Sequence, residues 1–251
     1  MNAAVNMAVI SLKHWKRVIN NKRYVLDFRN PDVRAYCRDV VDRLIRDYGC
    51  EYFKVDYNVT TGIGSDLCSD SYGDAMLEHY RALYDWNREI FKSYPDLIIE
   101  TYGSGGQRMD YGMLELFSLQ SVSDQTDYLY HSFITANVAS ALTPEQAGAW
   151  VYPYEDDREH VIYNVVNGLL LRPYCSGKPW ILSPDNRALY REGMDTYKVI
   201  RSRTCRMTLF SRWALPLSNL RFWHTDSRMR KGLISRCLLP IRIMRRSPFP
   251  A

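Results

Sequence analysis

Two aspartates stand where apolar runs give way to polar loops. Asp56 sits in KVDYN (54–58), and Asp124 sits in SVSDQTD (121–127) with Asp127 three residues on. Lys54 lies two residues before Asp56, a spacing that puts both side chains on one face of a strand. A lysine there holds a neighbouring carboxylate ionised, which suits a nucleophile attacking as an anion. If the two runs are strands of one sheet, Asp56 and Asp124 can face each other across a substrate. Cleavage of a glycosidic bond uses such a pair: one carboxylate attacks the anomeric carbon and the other donates a proton to the leaving oxygen. Plainer roles fit the same residues, with Asp56 capping its loop beside Lys54 and Asp124 starting an Asx turn or a helix. The spacing leaves both open.

A third candidate is the loop TYGSGGQR (101–108). Adjacent glycines let backbone approach a ligand closely, and successive N–H groups can face sugar hydroxyls or phosphate. A tight turn that only reverses the chain needs the same residues. No GKT or GKS follows, so this is no P-loop, and the GxGxxG spacing is absent. Two strand-end aspartates would also repel a phosphate. Arg108 and Asp110 read as a pair supporting the loop. Among the aromatic residues, Tyr57, Tyr102, Tyr128 and Trp150 fall at or near strand ends and are the pocket candidates. The cysteines and histidines are scattered, with no CxxC pair, so neither a metal site nor a disulfide scaffold is expected.

Residue patterns predict the elements that would position these groups. Residues 24–28 (YVLDF) and 51–55 (EYFKV) read as strands. Between them a helix starts at Asn30 and Pro31 and stops at Gly49, with Val33, Tyr36, Val40, Val41, Leu44 and Ile45 at helical spacing. A long helix over about 72–93 ends before Pro95 and leads to a third strand at 97–101. Further strands are predicted at 119–123 and 149–152, and helices follow Asp124, at 158–174 and at 187–201. Thr143 and Gln146 fit a capping box. Strand and helix in alternation mean a parallel sheet, in which chemistry gathers at the C-terminal ends of the strands. The expected fold is α/β, a (β/α)8 barrel truncated on its N-terminal side. Residues 1–19 form a remnant, 20–205 the partial barrel and 206–251 a separate tail.

The net charge of +5 is unevenly distributed: +9 falls in residues 206–251 and −4 in residues 1–205. That arginine-rich tail shows neither helical nor strand periodicity, so it is expected to be non-native or disordered rather than a nucleic-acid-binding arm. No apolar run reaches the length of a membrane span, and the N-terminus lacks a secretory signal pattern. The cytoplasm is the expected compartment, with no nucleic acid or membrane partner.

KVDYN, IIETYGSGGQRMDYGML and QSVSDQTDY, in that order, resemble the catalytic barrel of glycoside hydrolase family 36 over residues 20–175. These are the α-galactosidases, with raffinose-synthase-like and α-N-acetylgalactosaminidase relatives. The resemblance implies retaining, double-displacement hydrolysis of terminal α-galactosides, with Asp56 as nucleophile and Asp124 as acid/base. Lys54 and Asn58 would contact galactose hydroxyls or orient the nucleophile, and Ser104, Gly105 and Gly106 would line the sugar loop. Asp127 would be the fallback proton donor. The resemblance implies no metal and no organic cofactor. It implies an oligosaccharide or glycoside substrate, and a homo-oligomer for the full-length protein. Tyr102 stands where many members carry cysteine, and Gln107 where they carry a third glycine, so the fit around the sugar's C2 substituent would differ. The family's first barrel strands and its C-terminal β-domain have no counterpart in these residues. An inactive barrel fragment that binds carbohydrate, or a galactosyl-transferring relative, is therefore the alternative reading.

Overall fold

The computed structural model describes residues 22–58 and 64–204, with short strand pieces at 12–13, 16–17, 19–20, 209–211 and 225–227. The tail expected at 206–251 and the remnant at 1–19 lie almost wholly outside the described residues. The chain divides into two compact units, one of Met1–Ser104 with Asp110–Ser118, the other of Gly105–Met109 with Leu119–Ala251.

In the first unit, helix α1 (Pro31–Tyr48) begins where expected. Asn30 accepts the N–H of Asp32 at 2.8 Å, and Pro31 occupies a position where no backbone donor is needed. Gly49, at φ 65°, ends the helix by returning its N–H to Ile45, and Cys50 bonds back to Leu44. Strand β1 (Tyr52–Asp56) follows. Helix α2 (Tyr72–Ser93) opens with Ser71 accepting from the N–H of Asp74 at 3.0 Å. It leads to strand β2 (Ile98–Tyr102) and then helix α3 (Tyr111–Leu116), which Asp110 caps through the N–H of Met113.

β1 and β2 pair in parallel, Lys54 opposite Glu100 and Asp56 opposite Tyr102. Paired residues of a parallel ladder project to the same side, so the two faces separate cleanly. One face carries Phe53 and Ile99 into a core with Ile90, Leu97, Met113 and Phe117, joined by Val41 and Ile45 from α1. Fully burying side chains of this size contributes about 1.5–3 kcal/mol each. The other face carries Tyr52, Lys54, Asp56, Glu100 and Tyr102. The polar side chains of the two strands that were sequence candidates, Lys54, Asp56 and Tyr102, are all on that second face.

The strand predicted at 24–28 is mostly replaced by side-chain anchoring. Ladder pairing covers only Arg23–Tyr24, with a single bridge at Leu26. Asp27 is buried, takes a 2.6 Å ion pair from Arg29, and accepts the Asn30 N–H on its own carbonyl. The Phe28 N–H donates to His79 Nδ1, and the Phe28 ring meets Trp86 edge-on. Burial alone would raise the Asp27 carboxyl, but the neighbouring His79 imidazole, 3.8 Å away, and the hydrogen bonds from Arg29 outweigh it and hold the group far below the usual carboxylate range.

In the second unit, strands β3 (Leu119–Ser121), β4 (Ala147–Val151) and β5 (Arg172–Cys175) are parallel neighbours in that order. Helices α4 (Tyr128–Asn137), α5 (Arg158–Gly168) and α6 (Pro184–Thr204) alternate with them. Ala147, Ala149 and Val151 are fully buried, as is Val161 of α5. β4 begins two residues before its predicted start. The helix predicted to run through residue 174 stops at Gly168, and Pro173, which cannot donate to a helix, falls in β5. Thr143 and Gln146 close a turn rather than open a helix, the Gln146 N–H bonding to the Thr143 carbonyl. The described residues thus form an α/β fold with five parallel strands, of the eight that a closed barrel requires. None of the described helices is long and apolar enough to cross a membrane.

Candidate active site

At the C-terminal end of β1 the Asp56 carboxylate is exposed and accepts the side-chain amide of Asn58 at 2.7 Å. The carbonyl of that amide takes the Ser104 N–H at 2.8 Å and the Ser104 hydroxyl at 3.2 Å. Asn58 therefore ties the end of β1 to the turn that follows β2. The main chain repeats the link, the Tyr57 N–H donating to the Tyr102 carbonyl at 2.9 Å. Ser104 adopts φ 42°, a left-handed conformation that a non-glycine residue keeps only when its surroundings enforce it. The two bonds to Asn58 are that enforcement.

Lys54 is placed differently from its sequence reading as the companion of Asp56. Its ammonium lies 3.4 Å from a carboxylate oxygen of Glu100 and 3.7 Å from the centre of the Tyr102 ring. Glu100 is buried, and the Tyr52 hydroxyl donates to its other oxygen. Tyr102 is buried as the floor under Lys54. Sequence reasoning missed Glu100, although a lone acid in the apolar run LIIET was a visible signal.

In the second unit the glycines of the loop after β2 meet protein backbone. A Cβ on Gly105, whose φ is 82°, would stand 2.8 Å from Ser123 Cα and 3.0 Å from the Asp124 nitrogen, and one on Gly106 would stand 2.9 Å from the Val122 carbonyl oxygen. The two glycines thus let residues 105–106 lie against the segment that presents Asp124. Asp124 is exposed there. Around it, the Gln125 N–H bonds to the Ser123 hydroxyl, and the Asp127 N–H bonds to the Gln125 side chain. Asp127 itself caps α4, one oxygen accepting the N–H groups of Leu129 at 2.8 Å and Tyr130 at 3.1 Å. Both acids are exposed, and they differ in that Asp127 is engaged in the cap.

Beside Asp124 a run of aromatic rings continues beyond β4. Trp150 stacks on Tyr152 at 5.5 Å, and Tyr152 on Tyr154 at 5.4 Å. Burial first, then the nearby Tyr154 and the Asp124 charge, push the Tyr152 phenol up. Trp150 was a sequence candidate; Tyr152 and Tyr154 were not singled out, although their segment, 151–157, follows a predicted strand where pocket residues are expected and their spacing of two is the period of one strand face. Tyr128 packs edge-on against His160 at 4.8 Å, which places it in the α4–α5 contact. Asp110, read as a partner for Arg108, instead accepts from the Tyr84 hydroxyl as well as capping α3. Among the described residues, no group of three or more His, Cys, Asp or Glu side chains is placed to hold a metal ion.

Alpha-galactosidase 2 of Pediococcus pentosaceus is 27% identical over 192 residues, covering 71% of this chain and 26% of that protein. The α-galactosidase of Lactobacillus brevis superposes with a TM-score of 0.71 at 19% identity, over 82% of this chain and 28% of that one. A family 36 α-galactosidase of Geobacillus stearothermophilus, solved in complex with raffinose, gives 0.70 at 19% identity over 81% and 29%. At these identities the structural likeness is one of fold. The chain spans about a quarter of the length of these relatives. The Melibiase family model matches residues 6–157, more than half of the chain. With parallel strands carrying the KVDYN, TYGSGGQR and SVSDQTD segments in that order, the chain belongs to the Melibiase family of glycoside hydrolase family 36 α-galactosidases and holds part of its catalytic domain.

Proposed function

We propose that this region carries the catalytic carboxylates of a retaining exo-glycosidase that hydrolyses terminal α-galactosides. Asp56 attacks the anomeric carbon, and Asp124 protonates the leaving oxygen and then activates water. The observation that carries the reading is the Asp56–Asn58–Ser104 relay, which fixes an exposed carboxylate at a strand's C-terminal end through an uncharged amide donor. Lys54 and Asn58 address the sugar hydroxyls and the nucleophile, Tyr102 lies beneath Lys54, and Ser104, Gly105 and Gly106 line the sugar loop. Asp127 holds the helix behind Asp124 and is the reserve proton donor. The substrate class, a terminal galactose on an oligosaccharide, is supported by family membership and by the raffinose bound to the Geobacillus relative. The reading requires no metal or organic cofactor.

A second reading is favoured by one observation. Tyr52 and Ile98, on the face that bears Lys54 and Asp56, are 46% and 43% exposed. Such a face suits a region that binds galactose but turns it over only when further polypeptide covers it. Hydrolysis of an aryl α-galactoside by the purified chain, with Asp56→Ala and Asp124→Ala alongside, separates the two. Turnover abolished by both substitutions supports catalysis, whereas galactose binding without turnover supports the second reading.

A further inference from the structure

The geometry points to Glu100 as the positioning residue that keeps the Lys54 ammonium on the sugar-facing side of the site and away from the Asp56 nucleophile; this rests on the function proposed above. Lys54 and Glu100 are directly paired across the β1–β2 ladder, and their side chains form an ion pair at 3.4 Å. Glu100 is only 3% exposed, and a buried carboxylate requires a partner charge or donors. Tyr52 holds one of its oxygens, and Lys54 faces the other. The lysine stem is long and flexible, so a single contact would leave its head group mobile. Here the head is fixed twice, by Glu100 and by the Tyr102 ring 3.7 Å below it.

Asp56 is the next acid on the same face, two residues along β1 from Lys54. An ammonium released from Glu100 has that carboxylate as its nearest alternative on the strand. Pairing there would occupy an oxygen the nucleophile needs and would withdraw the cation from the sugar. Glu100 is buried, and its contacts are with Tyr52 and Lys54. It acts by directing Lys54.

The test uses the full chain with lysines labelled at the ε-carbon, and the variants Glu100→Gln, Tyr52→Phe, Lys54→Met and Lys54→Met/Glu100→Gln, with circular dichroism to verify folding. Glu100→Gln keeps the volume and can still accept from Tyr52. In the wild type, the Lys54 ε-methylene resonance is expected upfield, shifted by the ring current of Tyr102. Glu100→Gln is expected to collapse that shift and raise KM for an aryl α-galactoside about tenfold, the scale of a lost charge-assisted contact. Tyr52→Phe moves both readouts in the same direction by less. The double variant is expected to be no worse than Lys54→Met alone, because the two residues act as one unit. An unchanged ring-current shift in Glu100→Gln overturns the inference, and so do losses in the double variant that multiply, as independent structural damage would give. If the wild type neither binds galactose nor turns over the substrate, the proposed function falls and this role falls with it. Multiplying losses in an active wild type overturn the Glu100 role alone.

Discussion

The side-chain amide of Asn58 donates to the Asp56 carboxylate at 2.7 Å, and its carbonyl oxygen at the same time accepts from Ser104. One residue thus sets the direction of the proposed nucleophile and the shape of the loop opposite it. Neither bond alone would do both.

Asn58→Ala is expected to lower kcat on an aryl α-galactoside by about 10- to 100-fold, the equivalent of losing a hydrogen bond to a charged group worth about 1.5–3 kcal/mol. Steady-state kinetics check this. Asn58→Asp is expected to be at least as damaging, since it sets a second carboxylate against Asp56 and removes the donor.

His131 governs a pH response of stability. Burial pushes its imidazole down to about 4 from an ordinary 6.5, and neither ring nitrogen has a hydrogen-bond partner among the described residues. The unfolded chain therefore binds a proton that the folded chain refuses. The resulting contribution to stability is fully present above about pH 6.5 and is lost as the pH falls from there towards about 4. The full loss is on the order of 3 kcal/mol. Urea unfolding at pH 7.5 and pH 5 is expected to show a drop in the wild type that His131→Leu largely removes.

Gly193 lies where α6 crosses α5, and a Cβ there would stand 2.1 Å from Val165 Cγ1. Gly193→Ala is expected to destabilise the protein by about 1–3 kcal/mol, as overpacking does, despite the helix propensity it adds. Val165→Ala in the same chain should recover much of that loss. Denaturant midpoints of the two single variants and the double variant check the coupling.

Parts of this architecture were legible in the sequence because they depend on neighbouring residues. The Asn30–Pro31 start and Gly49 stop of α1, and the full extent of α2, follow from caps and periodicity. The placement of Asp56 at the end of a strand did too. What was hidden depends on distant partners. β5 was read as helix because the apolar residues 169–171 extend the stripe of α5, and only pairing with β4 identifies the strand. Residues 24–28 are apolar enough for a strand, yet the burial of Asp27 with Arg29 and His79 fixes them instead. Lys54 was assigned to Asp56 because sequence shows spacing along a strand but not the neighbour across the ladder, which is Glu100. The glycines at 105 and 106 announced a close approach, but not that the approaching group is the backbone of residues 122–124.

Chemical rescue of the 251-residue chain tests the central assignment most directly. The wild type is expected to hydrolyse an activated aryl α-galactoside with α-galactose as first product, and Asp56→Gly to lose that activity. Added azide should then restore aryl release from Asp56→Gly and yield β-galactosyl azide, formed by attack from the face the carboxylate had occupied. A folded wild type without turnover would contradict the account, as would β-galactosyl azide arising from Asp124→Gly and not from Asp56→Gly.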